Sequence, residues 1–321
     1  MALHIDRQGI LWVSGSQQIS RLMNGRFEPS AIPETIQTSR VMALTTDHAG
    51  TLWLCSALKG VMSWDGRVVS RFEGQSDVAN RACQSIYTDS QGRVWIGFTS
   101  GGTAVHDKGT FRSFGAPDGL TRGTVLAITE DRKGAIWLGT SAGVSRFQNG
   151  RVTPVTQANA PLTDLVPVLV EDLEGYIWVG VNSGAGVIRF HPGEVDKIAG
   201  NPSYQLEYSL YDESDGMQQG SQTWQSGVGG VRGGDGRLWV ATGVGMTVID
   251  PRNLPPIRRP PPPRIEGVTA DGRRVTPLRS LTLPSGTSTL RIEYGTVSLS
   301  SASKLRFRYM LEGIDDEWVY A

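Results

Sequence analysis

Two cysteines in 321 residues are too few for a disulfide framework, and two thiols alone do not settle the redox compartment. No apolar run reaches the roughly 18 residues that a membrane helix needs. Neither sign of charge is in excess: 31 Lys and Arg balance 31 Asp and Glu, which excludes a global electrostatic pull toward nucleic acid or an anionic membrane. The opening, MALHIDRQG, has neither the basic nor the apolar region of a secretory leader. Few stretches repeat their apolar residues with a helical period. Glycine and proline are abundant instead, at 40 and 17, and this favours a turn-rich all-β chain.

What fills the chain is a repeat. DRQGILW, DHAGTLW, DSQGRVW, DRKGAIW, DLEGYIW and GGDGRLW begin at residues 6, 47, 89, 131, 172 and 233. Their first residues are Asp6, Asp47, Asp89, Asp131 and Asp172, with Gly233 in the last copy. Their tryptophans are Trp12, Trp53, Trp95, Trp137, Trp178 and Trp239, spaced by 41, 42, 42, 41 and 61 residues. A period of about 42 with strand-like content is the signature of propeller blades. Six copies imply six or seven blades, each reading as four strands. Asn-Gly and Asp-Gly pairs mark hairpins near residues 24, 65 and 149.

The strand around each tryptophan obeys a face rule. Its flanking residues are aliphatic, as in Leu52/Leu54 and Val94/Ile96, and point away from the indole. The residue two past it is always small: Ser14, Cys55, Gly97, Gly139, Gly180 or Ala241. Both faces are therefore buried between neighbouring blades, and the large indole needs a small companion. Cys55 occupies the small position and reads as a buried small residue rather than a reactive thiol. Cys83 lies on the next blade's inner strand. A bridge between them is compatible with these positions, but nothing in the sequence calls for it.

The repeated aspartates invite a chemical reading, which their context rejects. A calcium loop needs several oxygen ligands at alternating positions, and each tetrad supplies one Asp. Catalytic carboxylates are few and differentiated by environment, whereas these are five equivalents. An Asp whose carboxylate bonds a backbone N–H two residues on explains both the residue and its recurrence. His4, His48, His106 and His191 share no metal-ligand spacing. No nucleophile elbow, zinc-protease motif or phosphate loop is present. The expectation is no catalysis, no metal and no cofactor in this chain.

The pattern changes after residue 252. A proline-dense linker, 253–263, precedes a segment with strand alternation but no 42-residue period. In TLRIEYGTV, Leu290, Ile292 and Tyr294 share a face; in KLRFRYMLEG, Leu305, Phe307, Tyr309 and Leu311 do. This is antiparallel β with one face toward a core, as in an immunoglobulin-like sandwich. The 58 residues from Arg264 to Ala321 fall short of the roughly 100 of such a domain. The expected domains are thus a propeller over 1–252 and, over 264–321, the incomplete N-terminal part of a sandwich.

The D-x-x-G-x-[LVI]-W repeat followed by a Gly-Val turn resembles the two-component regulator propeller repeat. DGRLWVATGVGMTVIDPRNLPP, 235–256, resembles that family's last blade, and the segment from PPPPRIEGV onward is similar to the start of the triple-tyrosine (Y-Y-Y) domain that follows such propellers. The resemblance implies a periplasmic or extracellular sensor module of an inner-membrane protein, whose output domain is a histidine kinase or a diguanylate cyclase. Seven blades, or two propellers, are usual in that family. Six copies and no leader suggest further sequence upstream of Met1.

A ligand would then meet the loops leading into the inner strands and the loops joining second to third strands, which open on one face. The first set carries Arg40, Arg81, Arg122 and Asp164. The second carries Lys59, Thr99, Ser100, Thr140, Asn182 and Ser183. The long interval before the last blade adds Trp224 and Gln225. Three arginines on successive blades suit an anion, and Trp224 suits a sugar ring. The expected partner is a small molecule or glycan, with homodimerisation through the sandwich of the full protein and no nucleic acid or membrane contact in this segment. Two other readings stand beside it: a dimerisation scaffold without a ligand, and a glycan-acting lyase or hydrolase. The second would need paired carboxylates or a His or Tyr base at the channel mouth.

Overall fold

A computed structural model describes residues 2–15, 18–30, 32–33, 36, 40–72, 74–75, 78–79, 81–155, 162, 164–181, 186–201, 204–217, 229–242, 245–254, 262–275, 281–283, 285–296, 307–315 and 318–320. The chain divides into two compact units, Met1–Leu254 and Pro255–Ala321.

The first unit is a β-propeller of six antiparallel sheets, one for each copy of the repeat. Blade one is β1 (Ala2–Ile5), β2 (Leu11–Ser14), β3 (Ile19–Met23) and β4 (Arg26–Pro29). Blade two is β5 (Val41–Thr46), β6 (Leu52–Ser56), β7 (Gly60–Trp64) and β8 (Val69–Ser70). Blade three is β9 (Cys83–Thr88), β10 (Val94–Phe98), β11 (Thr103–Asp107) and β12 (Thr110–Phe114). Blade four is β13 (Val125–Glu130), β14 (Ile136–Thr140), β15 (Gly143–Gln148) and β16 (Arg151–Val155). Blade five is β17 (Val168–Glu171), β18 (Ile177–Val181), β19 (Gly186–Phe190) and β20 (Ser209–Tyr211), with helix α1 (Gly193–Gly200) between its last two strands. Blade six has three strands among the described residues, β21 (Gly230–Arg232), β22 (Leu238–Thr242) and β23 (Gly245–Ile249). The fourth strand of blade two is only the two residues of β8.

Successive inner strands pack on one another, β1 on β5, then β5 on β9, and so on to β17 on β21. The face rule becomes a packing rule. Each of the first five repeat tryptophans is buried against the aliphatic pair of the following blade: Trp12 with Leu52 and Leu54, Trp53 with Val94 and Ile96, Trp95 with Ile136 and Leu138. Trp137 likewise meets Ile177 and Val179, and Trp178 meets Leu238 and Val240.

The two end blades keep one face each of this interface uncovered. On the aliphatic face of blade one, Leu3 and Ile5 are 55% and 66% exposed. On the tryptophan face of blade six, Met246 is 56% exposed and Trp239 is half-buried. In blade four, Val144 holds the position of Met246, opposite the small residue after the tryptophan, and is fully buried.

Small residues follow the tryptophans for a reason different from the expected one. A Cβ on Gly97 would stand 2.2 Å from Ser85 Oγ and 2.7 Å from Val125 Cβ, and one on Gly139 would stand 2.5 Å from Val166 O. The space is taken by Ser85 of the same blade's inner strand and by the next blade's inner strand or the residues leading into it, not by the indole.

The second unit contains the sheet β24 (Arg264–Ala270), β25 (Arg273–Val275) and β26 (Leu290–Gly295), with β24 central. A two-stranded ribbon follows, β27 (Arg308–Tyr309) with β28 (Val319–Tyr320). The expected alternation is present, but Leu290, Ile292 and Tyr294 remain exposed. Phe307 packs its ring 5.2 Å from that of Tyr294, while Tyr309 and Leu311 are exposed. Leu305 lies outside the described residues.

Candidate ligand-binding face

The repeated turn is fully occupied by folding. Asp131 Oδ1 accepts from Lys133 N and Ala135 N at 2.9 and 3.0 Å, while its Oδ2 accepts from Trp137 Nε1 at 2.9 Å. Asp6, Asp47, Asp89 and Asp172 repeat the pattern, with indole bonds of 2.9, 2.9, 2.8 and 2.7 Å. Gly134, at φ +78°, closes the turn by donating its N–H to Asp131 O in a conformation that glycine adopts without strain. The turn role read from the sequence accounts for Oδ1. The bond from Oδ2 to the indole was missed, although the fixed spacing of six residues signals it. In the last copy Gly233 keeps the backbone bonds and supplies no carboxylate, and Asp235 pairs with Arg237 instead.

These turns also lace the blades together at their own end of the propeller. Ser90 donates through N and Oγ to Glu130 of the next blade, both at 2.7 Å. Arg132 repeats this through N and Nε to Glu171, at 3.0 and 2.9 Å.

Chemistry not consumed by folding lies at the opposite end. There the loop leading into each inner strand is tied to the loop joining second to third strand. Ala57 N donates to Arg40 O at 3.3 Å, Thr99 N to Ala82 O at 3.0 Å and Ser141 N to Thr124 O at 2.9 Å. Thr124 Oγ1 links blades three and four by donating to Thr99 O at 2.7 Å.

On this face, between blades three and four, lies an open cleft of about 800 Å³. Its lining brings together three of the residues singled out from the sequence, Arg81, Ser100 and Arg122, with Ser113, Phe114 and Asp118. Arg81 is held in place: its Nη2 donates to Gly101 O at 2.6 Å and to Ser100 Oγ at 3.2 Å, and its guanidinium lies 3.8 Å from the centre of the Phe98 ring. Arg122 is exposed. Asp118 Oδ2 accepts Gly115 N at 2.8 Å, capping a short helical turn that forms the cleft's rim.

The other predicted residues are not part of this cleft. Arg40 is exposed at φ +49°, a left-handed conformation, in the loop leading into β5. Lys59 sits in the turn between β6 and β7, where its N–H donates to Ser56 Oγ. Asp164 Oδ1 accepts the N–H of its own neighbour Leu165 at 2.7 Å. Thr99 Oγ1 donates to Ala82 O, and Thr140 is buried with its hydroxyl donating to Gly143 O and Thr121 Oγ1. Asn182, Ser183, Trp224 and Gln225 lie outside the described residues.

None of the four histidines lines the cleft. His4 bonds Thr46 Oγ1 at 2.9 Å, and His48 bonds Arg7 across blades. His106 packs among Trp53, Phe72 and Phe111, and His191 against Tyr176. Burial pushes the imidazoles of His4 and His106 below their ordinary value.

Both cysteines are fully buried, as expected of Cys55, but they are joined in a disulfide between β6 and β9, which corrects the reading of separate thiols. The reason lies in the packing. Cys55 holds the small position of blade two, where a Cβ points at the first residue of the next inner strand, as Gly97 points at Val125. In blade three that first residue is Cys83. The separation of 28 residues is the same for Cys55/Cys83 as for Gly97/Val125, so the register of the repeat contained the signal.

No curated protein sequence matches the chain. Among solved structures, the fold is similar to the extracellular domain of BT3049 from B. thetaiotaomicron, assigned as a hybrid two component system. That likeness has a TM-score of 0.51 at 19% identity and covers 100% of this chain and 49% of the other. The extracellular domain of BT4673 from B. thetaiotaomicron, with the same assignment, matches at TM-score 0.52 and 17% identity, covering 100% and 51%. The chain thus spans about half the length of these two domains. Virginiamycin B lyase from Staphylococcus aureus matches at TM-score 0.60 and 14% identity, covering 79% of this chain and 81% of the lyase. At such identities these likenesses establish the propeller fold. In sequence, residues 119–142 match the family described as the two component regulator propeller. The chain therefore carries the two component regulator propeller repeat, on a fold shared with extracellular domains of two component systems.

Proposed function

We propose that this chain is the extracytoplasmic recognition module of a membrane-anchored two-component signalling protein, and that it performs no catalysis itself. The observation that carries the reading is the two component regulator propeller repeat on a fold shared with extracellular domains of two component systems. The buried Cys55–Cys83 disulfide supports it, because such bonds persist in oxidising compartments outside the cytoplasm. Recognition falls to the loops leading into the inner strands, since the opposite turns are consumed in blade-to-blade bonding.

In this reading the second unit is the beginning of a Y-Y-Y sandwich that relays the signal by pairing with its counterpart. The exposed apolar residues of β26 support such a pairing. The output domain of the parent protein is a histidine kinase. The lyase likeness raises a catalytic alternative, which needs paired carboxylates or a His or Tyr base at the mouth. Among the described residues the cleft lining holds one carboxylate, Asp118, and no His or Tyr.

The test is made in the parent protein. Deleting residues 1–254 is expected to abolish signal-dependent output while surface labelling of intact cells still reaches the remainder. Output that stays fully responsive without the propeller would refute the reading, as would labelling of this chain only after lysis.

A further inference from the structure

We infer that the cleft between blades three and four is an anion site, built for a carboxylate or sulfate group of a small molecule. The inference rests on the recognition face proposed above and specifies what that face takes.

Three observations converge. The first is charge. Among the described lining residues, two guanidinium groups, Arg81 and Arg122, stand beside one carboxylate, Asp118, which is committed to the N–H of Gly115. Arg81 is fixed by Gly101 O, Ser100 Oγ and the Phe98 ring, so its charge is held at the cleft wall without further loss of side-chain freedom. No hydrogen bond or ion pair among the described residues engages the exposed guanidinium of Arg122.

The second is an orphaned hydroxyl. Ser113 is a lining residue, and its buried Oγ has no hydrogen-bond partner among the described residues. A buried donor in this state is destabilising, and a bound acceptor that reaches it would restore the missing bond.

The third is backbone closeness. Gly102, at φ +86°, forms part of the lining, and a Cβ there would stand 3.2 Å from Phe114 O and 3.4 Å from Arg81 Nη2. A side chain at this point would press on Phe114 O and adopt a positive φ that glycine alone takes easily, so glycine keeps this part of the wall open beside the guanidinium. Together these features provide a fixed cation, an exposed cation at the rim and an unpartnered hydroxyl, the complement of an oxyanion.

The test uses sodium sulfate and sodium acetate as separate probes, titrated at constant ionic strength into the 321-residue chain and followed by amide NMR. The expected result is a saturable shift of the Gly102 and Gly123 amides. Arg122→Gln should weaken it about tenfold, as loss of a charge-assisted bond requires. Arg67→Gln, exposed in the turn between β7 and β8 and outside the cleft, should leave it unchanged. A response to one probe only identifies which oxyanion the cleft takes. Shifts that fail to saturate, or an Arg122→Gln chain that binds like the parent, would overturn the inference. If a neutral compound moved the same amides while neither salt did, the anion class would fall and the recognition face would stand.

Discussion

Trp137 donates its indole N–H to Asp131 Oδ2 across 2.9 Å, and both side chains are buried. The two most conspicuous residues of the repeat are thus partners. The bond fixes the turn, the bond from the turn fixes the indole, and the indole fixes the next blade.

Replacing Asp131 by Ala removes one indole bond and two backbone bonds and leaves buried donors behind. The expected loss is about 3 kcal/mol or more of unfolding free energy, measured by urea denaturation. Asp131→Asn should recover part of it, since an amide oxygen can accept two of these donors and an amide nitrogen repels the third. A loss under about 0.5 kcal/mol, the size of an ordinary surface substitution, would show that the carboxylate is dispensable.

Trp239 lacks such a partner, because Gly233 stands where the other copies have Asp, and it is only half-buried. N-bromosuccinimide should therefore oxidise Trp239 before Trp53, Trp95, Trp137 or Trp178, as read by peptide mass. Equal reactivity among the five would contradict the packing order.

The uncovered end faces predict an asymmetry between equivalent positions. Met246 and Val144 occupy matching places opposite the small residue of their blades, 56% and 0% exposed. Met246→Glu should cost at most about 0.5 kcal/mol, whereas Val144→Glu buries an unpaired charge and should cost more than about 3 kcal/mol. Thermal melts of the two variants give the comparison.

The disulfide predicts a redox dependence of stability. It closes a loop of 28 residues, for which chain entropy gives about 3–4 kcal/mol. Cys83→Ser should lower stability by up to that amount. In the native parent chain neither cysteine should react with a thiol reagent until it is both unfolded and reduced. Rapid labelling of the native chain would contradict the bridge.

The pH dependence follows from His106. Burial holds its pKa below the ordinary 6.5, against opposing pulls from Asp47 and Asp107. The unfolded imidazole therefore takes up a proton near pH 6.5 while the folded one does not. Stability is fully present above that pH, falls as the pH drops from 6.5 toward the folded value, and levels off below it. His106→Phe should flatten part of this slope, since Phe suits the ring cluster of Trp53, Phe72 and Phe111. His4, depressed in the same direction by burial, supplies the remainder. An unchanged slope in His106→Phe would rule out this origin.

Much of the propeller was legible because its repeat writes the same physical constraint six times. The aliphatic pair beside each tryptophan announces two buried faces, and Gly134 and its equivalents announce the turn. Three things were not legible. The role of Oδ2 depends on how the turn brings Asp131 beside its own tryptophan six residues on, and the Cys55–Cys83 bond depends on the register of consecutive blades. The reason for small residues such as Gly139 lies in the backbone of a neighbouring blade, remote in sequence. The cleft was read only in part. Arg81 and Arg122 stood out as cations on leading loops, but Ser113 belongs to an outer strand, and no sequence rule places it beside them. The three-arginine convergence became two, because Arg40 sits one blade away from the cleft.

The central claim is that recognition resides on the loops leading into the inner strands and not on the repeated turns. Its most direct test is a calorimetric screen of small anionic and neutral molecules, with each binder mapped by amide NMR on this chain. The account predicts perturbations confined to the loops around residues 99–102 and 121–124. Binders that map instead to the Asp-x-x-Gly turns, such as 89–92 or 131–134, would contradict it.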